Sequence, residues 1–418
     1  MRHAIIPMRA IEIFWIFLKL GLTSFGGPVA HLAYFRQAFV ENRNWFSEAQ
    51  YAHLLTICQT IPGPASSQVG FAIGLLRGGW LGATLAFIGF TLPSVLLLLL
   101  FANSLSLLDS WVGQASLHGL AILTFIVVLQ AVIGMSKQLL TVPLSWIIAV
   151  VMFCVVLLTS ALLWQVMALM LCAIVSSGLL KKDTQENHSD APMFSSFPHK
   201  FTLTTTWLAA GLFVGLFIVL IGNPFNFTQY LYAQAPAYYA SGAMVFGGGH
   251  VVLPFLEQTT VAQGLVSQEV FLAGYGATQA VPGPMFSFAA YLGYMGELHQ
   301  QLVNGGDTNV SNAVLAALLA TLFVFLPGFL LVSAILPISQ KLFAYAFVRR
   351  AFVGANAAVV GLLAATLYDP IFTHAIQSNH DVVIAGIGFI ALSRFKAPVL
   401  VIVCLCIIVK VLFVSMSM

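Results

Sequence analysis

Apolar residues fill this chain in long runs, and polar residues fall in short clusters between them. About thirteen runs are long enough for membrane-spanning helices, which need about 20 apolar residues. They lie near 10–34, 50–76, 79–103, 115–136, 143–160, 161–180, 206–222, 235–256, 270–296, 312–336, 350–368, 381–393 and 397–416. The twelfth is short and suits half of a hairpin. The first, second, eighth and ninth are interrupted by Phe25-Gly26-Gly27-Pro28, Gln59-Thr60-Ile61-Pro62-Gly63-Pro64, Phe246-Gly247-Gly248-Gly249 and Gln279-Ala280-Val281-Pro282-Gly283-Pro284. Glycine permits tight or left-handed backbone. Proline at 28, 64 and 284 suits the first position of a new helix. Each cluster is therefore predicted to start a half-helix inside the membrane, as a broken crossing helix or a re-entrant hairpin.

The interruptions repeat at a spacing of about 220 residues. Phe25-Gly26-Gly27 matches Phe246-Gly247-Gly248, and Pro62-Gly63-Pro64 matches Pro282-Gly283-Pro284. Ser47 and Gln59 match Ser267 and Gln279, and Thr91-Leu92-Pro93 matches Phe325-Leu326-Pro327. The first span and its counterpart are seven crossings apart, so the halves should run in opposite directions. This predicts two inverted-topology repeats with broken helices, a transporter arrangement. The expected divisions are an N-terminal repeat over 1–180, a polar cytoplasmic linker over 181–205 and a C-terminal repeat over 206–418.

Composition narrows the class. Of 418 residues, 60% are hydrophobic and 7% charged, against roughly 25% charged in soluble domains. An all-α polytopic membrane protein is the fold class that fits. Twelve basic residues fall on one predicted side: Arg2, Arg9, Arg77, Lys137, Lys181, Lys182, Lys200, Lys341, Arg349, Arg350, Arg394 and Lys396. Arg36 and Arg43 fall on the other, and Lys19 and Lys410 sit within spans. The positive-inside bias places the N-terminus in the cytoplasm and the C-terminus outside. Glu12 and Lys19 interrupt the first run, which reads as a retained helix rather than a cleaved signal. The five cysteines have no metal or disulfide spacing and read as packed hydrophobes.

A half-helix start inside a membrane presents free N–H groups and a partial positive charge, so an anion is its natural ligand. The candidate binding residues are Gly26, Gly27, Pro28, Gln59, Pro62, Gly63, Pro64, Ser66, Ser67, Gly247, Gly248, Gly249, Gln279, Pro282, Gly283, Pro284 and Ser287. Serines and glutamines there add side-chain donors. The plainer reading of any one cluster is a packing kink; four at matched positions argue against it. Ionisable residues within spans are costly and suggest function. Lys19 and Arg36 are candidates for anion attraction, with snorkelling or structural pairing as the alternative. His31, His53 and His250 are proton-carrier candidates, each equally explained as a buried neutral ring. Arg77 reads as a topology anchor or gate, Glu257 as a coupling candidate and Lys410 as a snorkelling lysine. Arg36 aligns with Glu257 and Lys19 with Ala240, so the first half is basic and is expected to make the stronger substrate contacts. No nucleotide-binding loop, metal-ligand motif or nucleophile elbow is present. No cofactor, metal, nucleic-acid partner or enzyme activity is therefore expected.

FGGPVAHLAYFR (Phe25–Arg36), PGPASSQVGFAIG (Pro62–Gly74), FGGGHVVLPFLE (Phe246–Glu257) and ATQAVPGPMFSFAAYLG (Ala277–Gly293) resemble the motifs of the bacterial chromate ion transporter family in its long two-domain form. The resemblance covers both halves. It implies an inner-membrane carrier that exports chromate and confers chromate resistance; alternating access is what the inverted repeats suggest. A carrier or exchanger for sulfate or another oxyanion is the first alternative. A membrane enzyme and a channel are more distant ones, and a homodimer is compatible with either reading.

Overall fold

The first apolar run turns back on itself. In the computed structural model, which describes residues 2–105, 110–159, 162–180, 203–222, 234–246, 248–305 and 308–417, helix α1 (Arg2–Thr23) ends just before the first glycine cluster. Gly26 and Gly27 take φ of 97° and 74°, and α2 (Gly27–Arg36) starts with Pro28 in its first turn. The Phe17 ring lies 5.6 Å from that of Phe35 and 5.2 Å from that of Phe39. A straight continuation at 1.5 Å per residue would separate residues 17 and 35 by about 27 Å. The two helices therefore form a hairpin.

The second interrupted run does the same. Ser47 caps α3 (Glu48–Thr60) in a reciprocal pair of hydrogen bonds with Gln50, which satisfies two otherwise orphaned donors. After Ile61–Pro64 the chain continues as α4 (Ala65–Ser104), divided at Gly79, where φ is 64° and ψ −159°. The Arg77 guanidinium sits 4.6 Å over the Trp45 ring, so the arm before Gly79 has returned to the level where α3 began. Gly74 then packs on the backbone of Gly82 and Ala83, so the two arms of α4 are antiparallel. The predicted boundary between the second and third spans falls at this turn.

The connecting helices are α5 (Trp111–Leu139), α6 (Pro143–Leu158), α7 (Leu162–Leu179) and α8 (Leu203–Gly222). The second half then opens with α9 (Ala235–Met244), a single 3-10 turn at Gly249–Val251 and α10 (Val252–Thr260). Ser267, matched with Ser47 in the sequence, caps α11 (Gln268–Ala280). Helix α12 (Phe288–Val303) doubles back on α11. Phe271 and Phe288 rings lie 5.1 Å apart, and the Tyr291 hydroxyl donates to the Val270 carbonyl at 3.0 Å. Helices α13 (Val310–Ile335), α14 (Ala346–Thr366), α15 (Asn379–Ser393) and α16 (Val399–Ser417) complete the described chain.

Among the described residues regular structure is all helical, and five helices are long and apolar enough to cross a membrane. Four shorter apolar helices accompany them. Trp146, Ile147, Trp164, Leu171 and Trp207 are exposed, which suits a lipid-facing surface rather than water. This is a multi-pass membrane protein. The predicted linker residues 181–202, with Lys181, Lys182 and Lys200, lie outside the described residues, as does Gly247.

The two pairs of hairpins open toward opposite ends of the molecule. Arg36 is paired with Glu48, Trp45 lies under Arg77, and Arg77 is an electrostatic neighbour of Arg9 and Glu12. The sequence reading put Arg36 and Arg43 at the end opposite Arg9 and Arg77. The fold-back of α2 brings them to the same end. The second pair opens where Tyr294 bonds Asn103 at 3.3 Å and Gln258 bonds Gln165 at 2.7 Å. Lys410 does not snorkel: its ammonium is 2.6 Å from the fully buried carboxylate of Asp381.

Candidate functional site

The four breaks meet tip to tip. Gly283 N–H donates to the Ser24 carbonyl at 3.0 Å, and Gly63 N–H donates to the Val245 carbonyl at 2.7 Å. Ser24 and Val245 each precede a Phe-Gly-Gly motif, and Gly63 and Gly283 are the glycines of the two Pro-Gly-Pro motifs. Each Pro-Gly-Pro tip thus holds the Phe-Gly-Gly tip of the other half. Long helices brace them from behind. The Gln68 amide donates to the Pro62 and Gly328 carbonyls at 2.8 and 3.1 Å, and Gly283 lies beside Ser94.

In front of this junction is a cavity of about 410 Å³. Gly26, Gly27, Pro28 and Val29 line it from the start of α2, and Gly248, Gly249 and His250 from the turn before α10. Gln279 adds the end of α11; Val127, Gln130, Ala131, Gly134, Met135 and Gln138 add one face of α5; Leu392 and Val399 add α15 and the start of α16. The two helix starts touch. A Cβ on Gly249 would lie 2.8 Å from Pro28 Cγ, closer than real Cβ contacts, so only glycine allows this approach. First-turn N–H groups have no carbonyl behind them within the helix. Two such starts, one from each half, present the positive ends of their backbone dipoles to one space.

The side-chain chemistry of the wall is uncharged. Gln130, Gln138 and Gln279 supply amides, and among the described residues the lining includes no Lys, Arg, Asp or Glu. The Gln279 amide nitrogen, buried beside the cavity, has no hydrogen-bond partner. His250 is held by Tyr275, with Nδ1 2.7 Å from the phenol oxygen. That oxygen also lies 3.6 Å from Met285 Sδ. This network fixes the ring on the cavity wall.

Of the residues singled out in the sequence, Gly26, Gly27, Pro28, Gly248, Gly249, His250 and Gln279 come together at the cavity. Pro62, Gly63, Pro64, Pro282, Gly283 and Pro284 form the supporting tips and do not line it. Ser66 and Ser67 are buried in α4, Ser287 bonds back to the Pro284 carbonyl at 2.6 Å, and Gln59 is exposed. Lys19 is exposed on α1, and Arg36 is held by Glu41 and Glu48. His31 is buried edge-on to Phe90, ring centres 5.3 Å apart, against the Ser24 backbone. His53 Nε2 lies 3.4 Å from the Ser339 hydroxyl, Arg77 covers Trp45, and Glu257 is an electrostatic neighbour of Asp369. None of these six candidates lines the cavity. Sequence reading missed Gln130, Gln138 and Tyr275. The signal for the glutamines was two polar residues eight apart, about two helical turns, at the end of an apolar span.

Discontinuous helices that meet tip to tip around a polar cavity define a class: a multi-pass membrane protein of transporter architecture. The chain belongs to the chromate transporter family, whose sequence profile matches residues 11–177 and 235–411. It is 26% identical over 415 residues to the chromate transport protein of Pseudomonas aeruginosa, covering 95% of this chain and 91% of that one. It is 27% identical over 379 residues to a probable chromate transport protein of Synechococcus elongatus, covering 90% and 87% of the two chains. A chromate transport protein of Cupriavidus metallidurans is 25% identical over 289 residues, 68% and 67% of the two. No solved structure matches this chain.

Proposed function

We propose that this protein is a secondary carrier that exports chromate from the cytoplasm, driven by the membrane potential. The observation that carries this reading is the convergence of two half-helix starts, one from each half, on a single uncharged polar cavity. Chromate is a tetrahedral dianion. One helix start offers about 0.3–2 kcal/mol to an anion, too little alone to replace its hydration. Two starts and three glutamine amides act together. The matched tip-to-tip hydrogen bonds support two inverted repeats, 1–180 and 206–418, around a central site. Such repeats have two arrangements of similar energy, as alternating access requires.

Direction follows from charge. With the cytoplasm negative, moving a dianion outward gains roughly 4.6 kcal/mol per 100 mV. The cavity wall ends at Gln138, Leu392 and Val399, within a few residues of exposed Lys137, Arg394 and Lys396. These belong to the set that the positive-inside bias places in the cytoplasm, so the cavity would load from that side. The membrane is then the inner membrane, with the N-terminus inside and the C-terminus outside. Neutral amides and backbone donors read shape and charge, which sulfate shares, so a sulfate-type carrier is the second reading.

The test is radiolabelled chromate uptake into inverted vesicles under an imposed potential, with sulfate as competitor. Saturable, potential-driven uptake is expected. Competition by sulfate at equal concentration would reduce the claim to a tetrahedral-oxyanion carrier. No uptake by correctly inserted protein would end it.

A further inference from the structure

Resting on that transport reading, we infer that His118, Asp381 and Lys410 form a proton-exchange site that couples proton binding to the position of α16 and so to the anion cavity. The three residues lie on α5, α15 and α16. Asp381 is fully buried, and the side chains of His118 and Lys410 are 17% and 15% exposed. Ionisable groups at membrane depth are costly and mark function by default.

The geometry is a competition for one carboxylate. Lys410 Nζ takes Oδ1 at 2.6 Å. Oδ2 accepts from the Ser378 hydroxyl at 2.9 Å and the Gln377 N–H at 3.1 Å. His118 Nε2 faces the same Oδ2 at 3.4 Å. The ring also lies against the Ala375 backbone. An unprotonated Nε2 points a lone pair at a carboxylate oxygen. A proton on Nε2 turns this contact into a charge-assisted hydrogen bond. Pairing Lys410 with Asp381 alone would neutralise both. A third ionisable group aimed at the same carboxylate is what a structural staple does not need.

The exchange balances with one proton. When Lys410 leaves Oδ1, Asp381 carries an uncompensated charge, and one proton from water binds His118 Nε2 to offset it. When Lys410 returns, two cations share one carboxylate in a poorly solvated site, and His118 releases that proton. The other titratable groups on neighbouring elements turn elsewhere. His374 bonds the Pro370 carbonyl at 2.9 Å, His380 lies on the Phe413 ring, and Asp369 accepts from Thr373. Tyr275, on α11, bonds His250. On α5 and α15, Lys137 and Arg394 sit at the helix ends remote from the cluster, and Cys404 and Cys406 on α16 are free thiols.

The coupling route is short. From the cluster, α5 reaches the cavity at Val127, α15 at Leu392 and α16 at Val399, each within about 14–17 Å along its own axis. Gly119 packs on the backbone of Cys406 and Ile407, so α16 slides against α5 without intervening side chains. A shift of α16 that withdraws Lys410 therefore also moves Val399 on the cavity wall.

The experiment uses the full chain in proteoliposomes and reads two fluxes. Chromate-for-chromate exchange needs the anion site but no net coupling; accumulation against a gradient, driven by an imposed pH difference, needs both. In wild type both are expected. In His118→Gln, and in the charge-free double variant Asp381→Asn/Lys410→Met, exchange should stay within threefold while pH-driven accumulation falls at least tenfold. The double variant leaves no buried charge unpaired, which protects against simple misfolding. Exchange in wild type with unchanged pH-driven accumulation in both variants overturns the proton site alone. Loss of exchange together with accumulation in both variants assigns the cluster a structural role and also overturns it. Absence of chromate exchange in wild type overturns the transport reading, and this inference with it.

Discussion

The two Phe-Gly-Gly tips meet the same cavity with different equipment. The first uses backbone: Gly26 and Gly27 in the left-handed region and Pro28 opening α2 directly. Its histidine, His31, is turned away against Phe90. The second opens through a single 3-10 turn, and its histidine, His250, faces the cavity on the Tyr275 phenol, beside Gln279. The first half was expected to make the stronger contacts because it carries Lys19 and Arg36. Neither charge lines the cavity; its side-chain amides come from Gln130 and Gln138 on α5 of the first half and from Gln279 of the second, and the first tip itself adds a dipole and a shape. Formal charge along a chain is thus a poor guide to which residues line a cavity. On the proposed function, fixed amides and helix starts would hold an anion without the desolvation that a buried cation would need.

The comparison breaks most completely where the two tips touch. Gly249→Leu should push the α2 start and the Gly249 turn apart, because its Cβ meets Pro28 Cγ. Transport is expected to fall about 100-fold or more, as displacement of a positioned site by roughly 1 Å does. The control is Gly211→Leu, at a position with nothing within 4 Å, which should transport like wild type. Equal effects of the two would remove the contact from the mechanism.

Gln279→Leu comes next. It deletes a buried amide beside the cavity, and a hydrogen bond to a charged ligand is worth about 1.5–3 kcal/mol. Half-saturating chromate should rise roughly tenfold or more with little change in maximal rate. Its match in the first half, Gln59, is exposed and off the cavity, so Gln59→Leu should leave both constants unchanged. Equal effects at the two positions would restore a symmetric site. Tyr275→Phe acts one step back, by freeing His250. A loss of about fivefold is expected from a net hydrogen bond, with His250 then mobile on the cavity wall.

Much of this was legible in the sequence, for stated reasons. The breaks announce themselves because only glycine and proline serve there, and Ser47 and Ser267 match because both cap the helix leading into a Pro-Gly-Pro tip. Periodicity gave the helices but not the hairpins, since an apolar run reads the same whether it crosses or doubles back. The fold-back depends on Phe17 meeting Phe35 and on Trp45 meeting Arg77, which are contacts between distant residues. For the same reason the sequence could not distinguish a bracing Gly63 from a lining Gly27. Gln130 and Gln138 were overlooked because a glutamine in an apolar span carries no motif.

The smallest expected effect is the sharpest test of the asymmetry. Arg36 is the cation at the end of α2, the helix that opens on the cavity, yet it is half-exposed and bound by Glu41 and Glu48. Both carboxylates raise its pKa, the hydrogen bond and charge of Glu48 most, so it stays charged and occupied. Exposed ion pairs contribute little, because water and salt screen them. Arg36→Gln should therefore change half-saturating chromate by no more than about threefold. Any change should shrink as ionic strength rises, because exposed charges are screened. A loss as large as that of Gln279→Leu, persisting at high salt, would mean that Arg36 leaves its carboxylates to meet the anion in another state. The first half would then supply charge as well as shape, and the present cavity would be only one side of the cycle.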